Sequence, residues 1–514
     1  MLVRRVVGVA AAGAAAAICL RAANAACSDD PLDISWASSS NRIYINSGCA
    51  TIDDIMVERS DNNGAKGPLY HFDQEANTIV GDWTGTYYLT SHIHIINGAT
   101  LRIDGDNSGT GDCKTLLLAS DSTITGDDSL NIRAHGGNLV ITDTKIFSWN
   151  IAEGTYDTNV DDGRSYISAI TEFITGRDVD LCDDDPLKGT DDYSTGEAKE
   201  NMGVARMDIY DSEIGYLGWD NSESYGVSYK ARGLCKTLAN LDIFDDDQPF
   251  DYAVYGDIKR SELHHNYFGH YSFGHQGGNW NFNSVHDNIG YGFDPHDDSD
   301  HLTIKGNEVY NNGWHGIIAS KRCTDISIRL NKVWDNGQNG IMLHRSCDRA
   351  EITLNEAWDN VDAGVALFES SDCEVTRNTL TGNGQGIRLS NGANRNFIHK
   401  NDIRHEYNGG DDEGYAVYMY RGTDEPEAEG NENGDILENE FHRNTVYSER
   451  PEAVKIKYAQ GNSFLNNVIT KGEYASFEAS TDNKWKRNAV PDDFYFVFDD
   501  ESCFDSNDED LELC

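Results

Sequence analysis

A repeat of about 24 residues constrains this chain more than any other feature. From Gly292 it reads GFDPHDD, then GIIASKR from Gly316, GIMLHRS from Gly340, GVALFES from Gly364 and GIRLSNG from Gly386. Asparagines recur in phase at Asn307, Asn331, Asn355, Asn378 and Asn401, and again at Asn288, Asn312, Asn336, Asn360 and Asn383. Each unit holds short β-branched or apolar runs between Asn, Asp and Gly turns, with no helical period. A unit this short has no core of its own, so units must stack as coils and share one. The expected fold is all-β, a right-handed parallel β-helix in which equivalent residues on successive coils lie roughly 4.8 Å apart. Asparagines at the corners would then form internal ladders that satisfy turn backbone groups and one another. Cys323 and Cys347 share one column, as a buried thiol stack or as a bond between coils.

A solenoid lengthens along one axis, so 514 residues need not divide into separate globular domains. Residues 1–25 read as a secretory signal: Arg4 and Arg5, an alanine-rich apolar run from Val6 to Leu20, and Ala23-Asn24-Ala25 as the cleavage site. Residues 26–79 are expected to cap the solenoid or form a small β module, 80–482 to be the catalytic β-helix, and 483–514 an acidic tail. Strand-like pieces such as His92 to Ile95 and Leu116 to Leu118 mark earlier coils, and the acidic stretch 153–199 reads as a loop insertion. Apart from Cys19 in the signal, the cysteines number an even ten, which suits export and disulfide formation without giving the pairing. The protein is expected to be secreted, in the extracellular space or cell wall, with no membrane association once the signal is removed.

The formal net charge of −46 argues against nucleic acid or an anionic membrane as partner. That charge is uneven. Between Gly290 and Lys400 there are 11 Lys and Arg against 15 Asp and Glu, while the excess sits in stretches such as Asp178 to Asp192 and Asp424 to Asp435. The repeat region is thus open to an acidic ligand.

Strand alternation sorts the repeat columns. Residues one and three after each glycine are apolar throughout (Phe293 and Pro295, Ile317 and Ala319, Ile341 and Leu343) and belong to the core. The opposite parity faces out, placing His296, Ser320, His344, Phe368 and Ser390 in one stripe, flanked by Asp294, Arg322 and Arg388. Histidine, arginine, an aromatic and a carboxylate in one line suggest a groove for a linear ligand. Lys321 and Arg345 have inward parity if the strand continues, so they are expected to turn out at a corner. His275 lies about one coil before His296 and is expected in the same groove, with His270 and Gln276. His264, His265 and His286 sit beside turn asparagines and are read as structural.

The run Tyr291-Gly292-Phe293-Asp294-Pro295-His296-Asp297 resembles the signature of mannuronan C5-epimerases of alginate-producing bacteria and brown algae. The segments Gly269 to Gly278 and Gly316 to Arg322 are similar to the bacterial periplasmic branch, and the likeness extends over about Tyr210 to Ile403. It implies an isomerase that converts β-D-mannuronate to α-L-guluronate within alginate, an acidic polysaccharide; the sequence points to no cofactor and no metal ligand and leaves metal dependence open. Removing the weakly acidic C5 proton requires a base, for which neutral His296 is suited. Arg322 is suited to fork the sugar carboxylate as charge develops there. The resemblance implies the same two roles. Asp294 shares the outward face of His296 and would orient it or the substrate, and Tyr291 is the candidate proton donor, with a water as the rival. Asp297, His275, Lys321, His344, Arg345 and Arg388 are expected to bind substrate. A polyuronate lyase shares the first step and differs in expelling the O4 substituent; a non-catalytic polysaccharide-binding protein of the same fold is the third reading.

Overall fold

The recurring glycines are required by close packing between coils. A Cβ on Gly316 would stand 2.8 Å from the Gly340 carbonyl oxygen and 2.8 Å from Asn336 Nδ2, and Gly340 and Gly364 meet the next coil in the same way. Only a residue without a side chain lets one coil lie on the next here. The computed structural model describes residues 31–505, apart from 58–67, 83, 106–112, 121–128, 162, 173–203, 222–223, 233–252, 407–413, 423–432 and 503. The described residues wind into a parallel β-helix with three long sheets of 16, 15 and 16 strands. The Asp178 to Asp192 stretch, the signal segment, Cys503 and Cys514 lie outside the described residues.

Two asparagine ladders run inside the corners. Asn331 Nδ2 donates to Ile304 O at 2.9 Å and to Asn355 Oδ1 at 3.0 Å, while its own Oδ1 accepts from Asn307 N and Nδ2, both at 2.9 Å. The same pattern links Asn288, Asn312, Asn336, Asn360 and Asn383. Each amide inside these ladders is satisfied by a turn carbonyl on one side and its own kind on the other. Between the ladders the inward columns close-pack: Phe293, Ile317, Ile341, Val365 and Ile387 are all fully buried. Each such side chain contributes roughly 2 kcal/mol by leaving water.

The solenoid is longer than the repeat alone suggests. Residues 42–47 pair in parallel with 92–95, and 49–51 with 100–104. The segment 26–79 is therefore no separate module; it supplies the first coil, closed by the hairpin 33–37/42–47 and the helix Ile52–Val57. At the other end, 483–486 pairs with 463–465 and 495–498 with 474–478, so the β-helix runs past residue 482 into the acidic tail. Within the expected insertion, 166–172 is a strand of the first sheet between 131–135 and 226–232. That strand, YISAITE, has β-branched residues in an otherwise Asp- and Gly-rich stretch, which hid it.

Cys323, Cys347 and Cys373 are buried free thiols stacked between coils, so the shared column is a thiol stack and not a cross-link. Cys49 is disulfide-bonded. His286 is indeed structural: its ring lies 4.7 Å from Tyr310 in an outer stack on the third sheet that continues through Trp334 and Trp358.

Removing one ladder amide tests this account. Asn331→Ala strands buried donors and acceptors on two coils, each worth about 1–3 kcal/mol. The denaturant midpoint should fall by an amount equivalent to roughly 3 kcal/mol or more; a loss below about 1 kcal/mol would mean the ladder is dispensable.

Candidate functional site: a groove on the first sheet

Strands 268–273, 293–296, 317–320 and 341–344 lie side by side in the first sheet. Their register aligns Phe273, His296, Ser320 and His344 in one outward column, and sets Tyr271 opposite Asp294 in the next. A groove of about 490 Å³ runs across this face. Where the strands begin, its edge is aromatic. Tyr225 lies 4.7 Å from Phe268, Phe268 lies 4.9 Å from Tyr291, and Tyr291 lies 4.8 Å from Trp314. Where the strands end, the edge is polar, formed by His296, Lys321, His344 and Arg345. Asp294 sits between the two edges.

The polar edge is built by a turn that alternation did not foresee in detail. After His296, Ser320 and His344 the chain takes two successive left-handed residues: Asp297 and Asp298 (φ 34° and 57°), Lys321 and Arg322 (63° and 58°), Arg345 and Ser346 (61° and 57°). Each such non-glycine residue costs about 1–2 kcal/mol, and coil-to-coil bonds offset that cost. Asp297 N donates to Ser320 O at 2.8 Å, Lys321 N to His344 O at 2.7 Å and Arg345 N to Phe368 O at 2.9 Å. The turn delivers Lys321 and Arg345 outward to the groove, as expected for a corner, and stacks Asp297, Lys321 and Arg345 one per coil.

Asp294 is 1% exposed, and its Oδ1 has no hydrogen-bond partner. Burial pushes its carboxyl up to about 7, with the His296 imidazole acting against that and Asp297 with it. A buried carboxyl that is half-neutral near pH 7, aimed into a groove, is unusual outside functional sites. His296 Nδ1 lies 2.6 Å from Asp297 Oδ2. Burial lowers the imidazole pKa, but the hydrogen bond to Asp297 and the charges of Asp294 and Asp297 outweigh it and hold it above the usual value. With Nδ1 committed to a carboxylate, the ring presents Nε2 as its acceptor. Burial, then the charge on Asp294, pushes the Tyr291 phenol up to about 12, so it stays protonated.

Several expected site residues are not in the groove lining. His275 is not in the groove. It is fully buried inside the β-helix, its Nε2 3.0 Å from Gly256 O and its ring 5.4 Å from Trp280. Gln276, also buried, bonds Asp298 O and Asp300 Oδ2, and His270 is fully buried with neither ring nitrogen bonded. His270 pairs with inward Phe293, and straight after Phe273, which pairs with His296, the chain turns at left-handed Gly274 (φ 66°), so strand alternation does not carry on to His275. Arg388 does stand on the outer face, aligned with Ala366 and Tyr418, two coils beyond the residues that line the groove. Arg322 is at the same corner as Lys321 but does not line the groove. Its Nε lies 2.9 Å from Asp298 Oδ1, and its Nη2 lies 3.0 Å from both Asp298 Oδ2 and Asp297 Oδ1.

Sequence reasoning missed Tyr271, Tyr225, Trp314 and His315, all in the groove lining. Tyr271, whose ring is 5.7 Å from that of His296, shares the parity of Asp294 one coil earlier. The residues just before the column glycines (Phe268, Tyr291, His315) form the aromatic edge, a signal that was readable from Gly269, Gly292 and Gly316.

Comparison with known proteins adds to this geometry. A family described as right handed beta helix region matches residues 363–497, and one described as periplasmic copper-binding protein (NosD) matches residues 277–426. No curated protein matches the chain. The crystal structure of the periplasmic alginate epimerase AlgG is 17% identical, with 96% of this chain and 100% of that one covered at a TM-score of 0.62. The right-handed parallel β-helix of AlgG is the fold of this chain. A mutant form of AlgG is similar at 16% identity, 96% and 100% coverage and a TM-score of 0.60. The A-module of the Azotobacter vinelandii mannuronan C-5 epimerase AlgE4 is 14% identical, with 81% of this chain and 91% of that one covered at a TM-score of 0.39. Among the described residues no three His, Cys, Asp or Glu side chains are placed to share a metal ion.

The buried histidines make stability depend on pH. Burial holds His275 and His315 down at about 3 and His270 well below its usual value, so folding favours the neutral rings. Their contribution is complete above the unfolded value near 6.5 and is lost as pH falls from there toward 3, at up to about 1.4 kcal/mol per pH unit for each. Denaturant unfolding should show stability falling between pH 7 and pH 5, and His275→Phe should flatten part of that slope. An unchanged slope in the variant would place the acid sensitivity elsewhere.

Proposed function

We propose that this protein is a mannuronan C5-epimerase, an isomerase that converts β-D-mannuronate to α-L-guluronate within the alginate polymer. The observation that carries the reading is the arrangement of His296 and Tyr291: they enter one groove from opposite edges, with the buried Asp294 between them. The fold shared with a periplasmic alginate epimerase over nearly the whole chain supports it. It also supports a site of action outside the cytoplasm, in keeping with a secreted protein of the extracellular space or cell wall.

In this reading His296 Nε2 takes the proton from C5. The C–H electron pair moves into the adjacent carboxylate, giving an ene-diolate whose extra charge needs cations at the polar edge. Tyr291, still protonated, returns a proton to C5 from the opposite face, and the stereocentre is inverted with the glycosidic bond intact. Inversion requires donor and base on different sides of the sugar, and two edges of one groove meet that requirement. Lys321 and then His344 with Arg345 stand on successive coils of one face, and Arg388 stands two coils further on, so a linear acidic polymer lying along the helix axis would meet cations at intervals. Loosening the first proton is easier when His296 is neutral, so activity should rise with pH through a midpoint above 6.5.

The experiment is proton NMR of polymannuronate incubated with the mature protein in deuterated water. Expected are deuterium at C5 of newly formed guluronate, unchanged chain length and no ultraviolet absorbance from unsaturated uronates. Growth of that absorbance with shortening chains would make the protein a lyase, and an unaltered polymer would leave a binding protein. His296→Ala should lose at least about 10²-fold in turnover while its thermal midpoint stays near wild type, because the ring is outward. Retention of a tenth of the activity would require another base.

A further inference from the structure

The corner between the second and third sheets is the one corner of the three-sided coil that the first sheet, with its groove, does not share. Each coil places one left-handed residue there, and backbone bonds between coils align them. Arg377 N donates to His399 O at 3.2 Å, Lys400 N to His442 O at 3.1 Å, Arg443 N to Leu465 O at 3.1 Å and Asn466 N to Lys486 O at 3.0 Å. The column therefore runs Leu354, Arg377, Lys400, Arg443, Asn466 and Arg487. Gly306 stands in it further back, and with Asn466 it shows that the backbone accepts residues suited to a left-handed turn and does not itself call for cations. At roughly 4.8 Å per coil the four cations span about 19 Å. All four are exposed. None makes an ion pair among the described residues.

The corner that leads into the second sheet is built the other way. Its left-handed column runs Asp325, Arg349, Asp372, Arg395 and Glu438, with alternating sign. Arg349 Nη2 lies 2.8 Å from Asp325 Oδ2, and Arg395 Nη2 lies 2.7 Å from Asp372 Oδ2. A column that only has to hold coils together can be neutralised in this way. Like charges placed opposite one another are unfavourable. In a chain with 87 Asp and Glu against 41 Lys and Arg, a row of cations without carboxylates needs a reason outside the fold.

Carboxylates stand on both flanks of the row. On the second sheet, His399 Nε2 is 2.8 Å from Glu374 Oε1 and His442 Nδ1 is 3.8 Å from Glu440 Oε1; Asp402 begins a strand of the third sheet. The positive strip is thus one residue wide and runs along the helix axis. A broad anionic surface such as a bilayer would meet the flanking acids together with the strip. A narrow linear polyanion would meet the strip alone, and a uronan carries one carboxylate on each sugar ring.

We propose that the column Arg377, Lys400, Arg443 and Arg487 is a second, non-catalytic binding surface for the acidic polysaccharide, which holds a long polymer outside the groove. The identity of the polymer rests on the polyuronate reading above.

The test compares the wild-type protein with the variant Arg377→Gln/Lys400→Gln/Arg443→Gln/Arg487→Gln on long polymannuronate and on a mannuronate oligomer short enough to occupy the groove alone. Each exposed contact is weak, so the four together should weaken binding of long polymer about fivefold or more at low salt. The salt dependence of that binding should become shallower, and kcat/KM on the short oligomer should stay near wild type. The thermal midpoint should equal or exceed that of wild type, because repulsion is relieved. Lys400→Glu, which restores alternating sign between Arg377 and Arg443, should raise the midpoint and weaken polymer binding more than Lys400→Gln does. Polymer binding by the fourfold variant equal to wild type, or a loss that appears equally on the oligomer, would overturn the proposal. So would loss of binding to anionic phospholipid vesicles with polymer binding intact, which would make the strip a membrane contact. A wild-type protein that binds polymannuronate through this corner without epimerising it would remove the catalytic reading and keep the surface. Turnover with a corner indifferent to polymer would remove the surface alone, and a protein with no affinity for polymannuronate would remove both.

Discussion

The asparagine ladders are the interaction on which the rest of this structure depends. A parallel β-helix has no intrinsic reason to hold one coil in register with the next, because backbone pairing tolerates slippage wherever side chains do not object. Here each corner amide donates to the coil behind and to the coil ahead, so a slip of one residue would break a run of buried hydrogen bonds at once. The ladder survives even where a coil is enlarged. Asn401 Nδ2 still reaches Asn444 Oδ1 at 3.0 Å although 43 residues separate them. The columns stay aligned across the longer coil, which is why outward side chains from distant parts of the chain can form one working surface.

Register alone would give only parallel stripes of side chains. The groove arises because the corner after each first-sheet strand is made of two left-handed residues that are not glycine. That turn brings charged side chains that parity would send inward out to the edge of the sheet. It stacks an anionic pair at Asp297 and Asp298 above a cationic pair at Lys321 and Arg322. Opposite charges on adjacent coils hold the strained corner together, and the same contacts orient His296. Stability and site geometry are here one set of bonds.

The electrostatics also reconcile a strongly acidic protein with an acidic ligand. In sequence, most of the excess charge falls outside Gly290 to Lys400, and salt screens exposed charges beyond about 10 Å. Among the described residues the carboxylates lining the groove are Asp220 and Asp294, and burial pushes that of Asp294 up to about 7.

The sequence by itself determined the solenoid, its period, the apolar columns and the stripe that contains Asp294, His296 and His344. These follow from spacing, and spacing survives without coordinates because each coil repeats the same local chemistry. The resemblance at Tyr291 to Asp297 narrowed the chemistry further. Only the tertiary structure decided the rest. His275 went inside because the chain turns at left-handed Gly274 straight after Phe273, and beyond that turn strand alternation no longer sorts the side chains. Arg322 and Lys321, adjacent in sequence, were given different surroundings by a turn whose left-handed pair no propensity for Lys or Arg foretells: Lys321 lines the groove and Arg322 pairs with Asp297 and Asp298. The ends of the β-helix lay beyond the legible repeat, at 42–47 and 495–498, because strands there keep the backbone pairing while losing the glycine and asparagine marks. Pairing is a property of neighbours in space, and a residue's neighbours on the next coil are some 24 positions away.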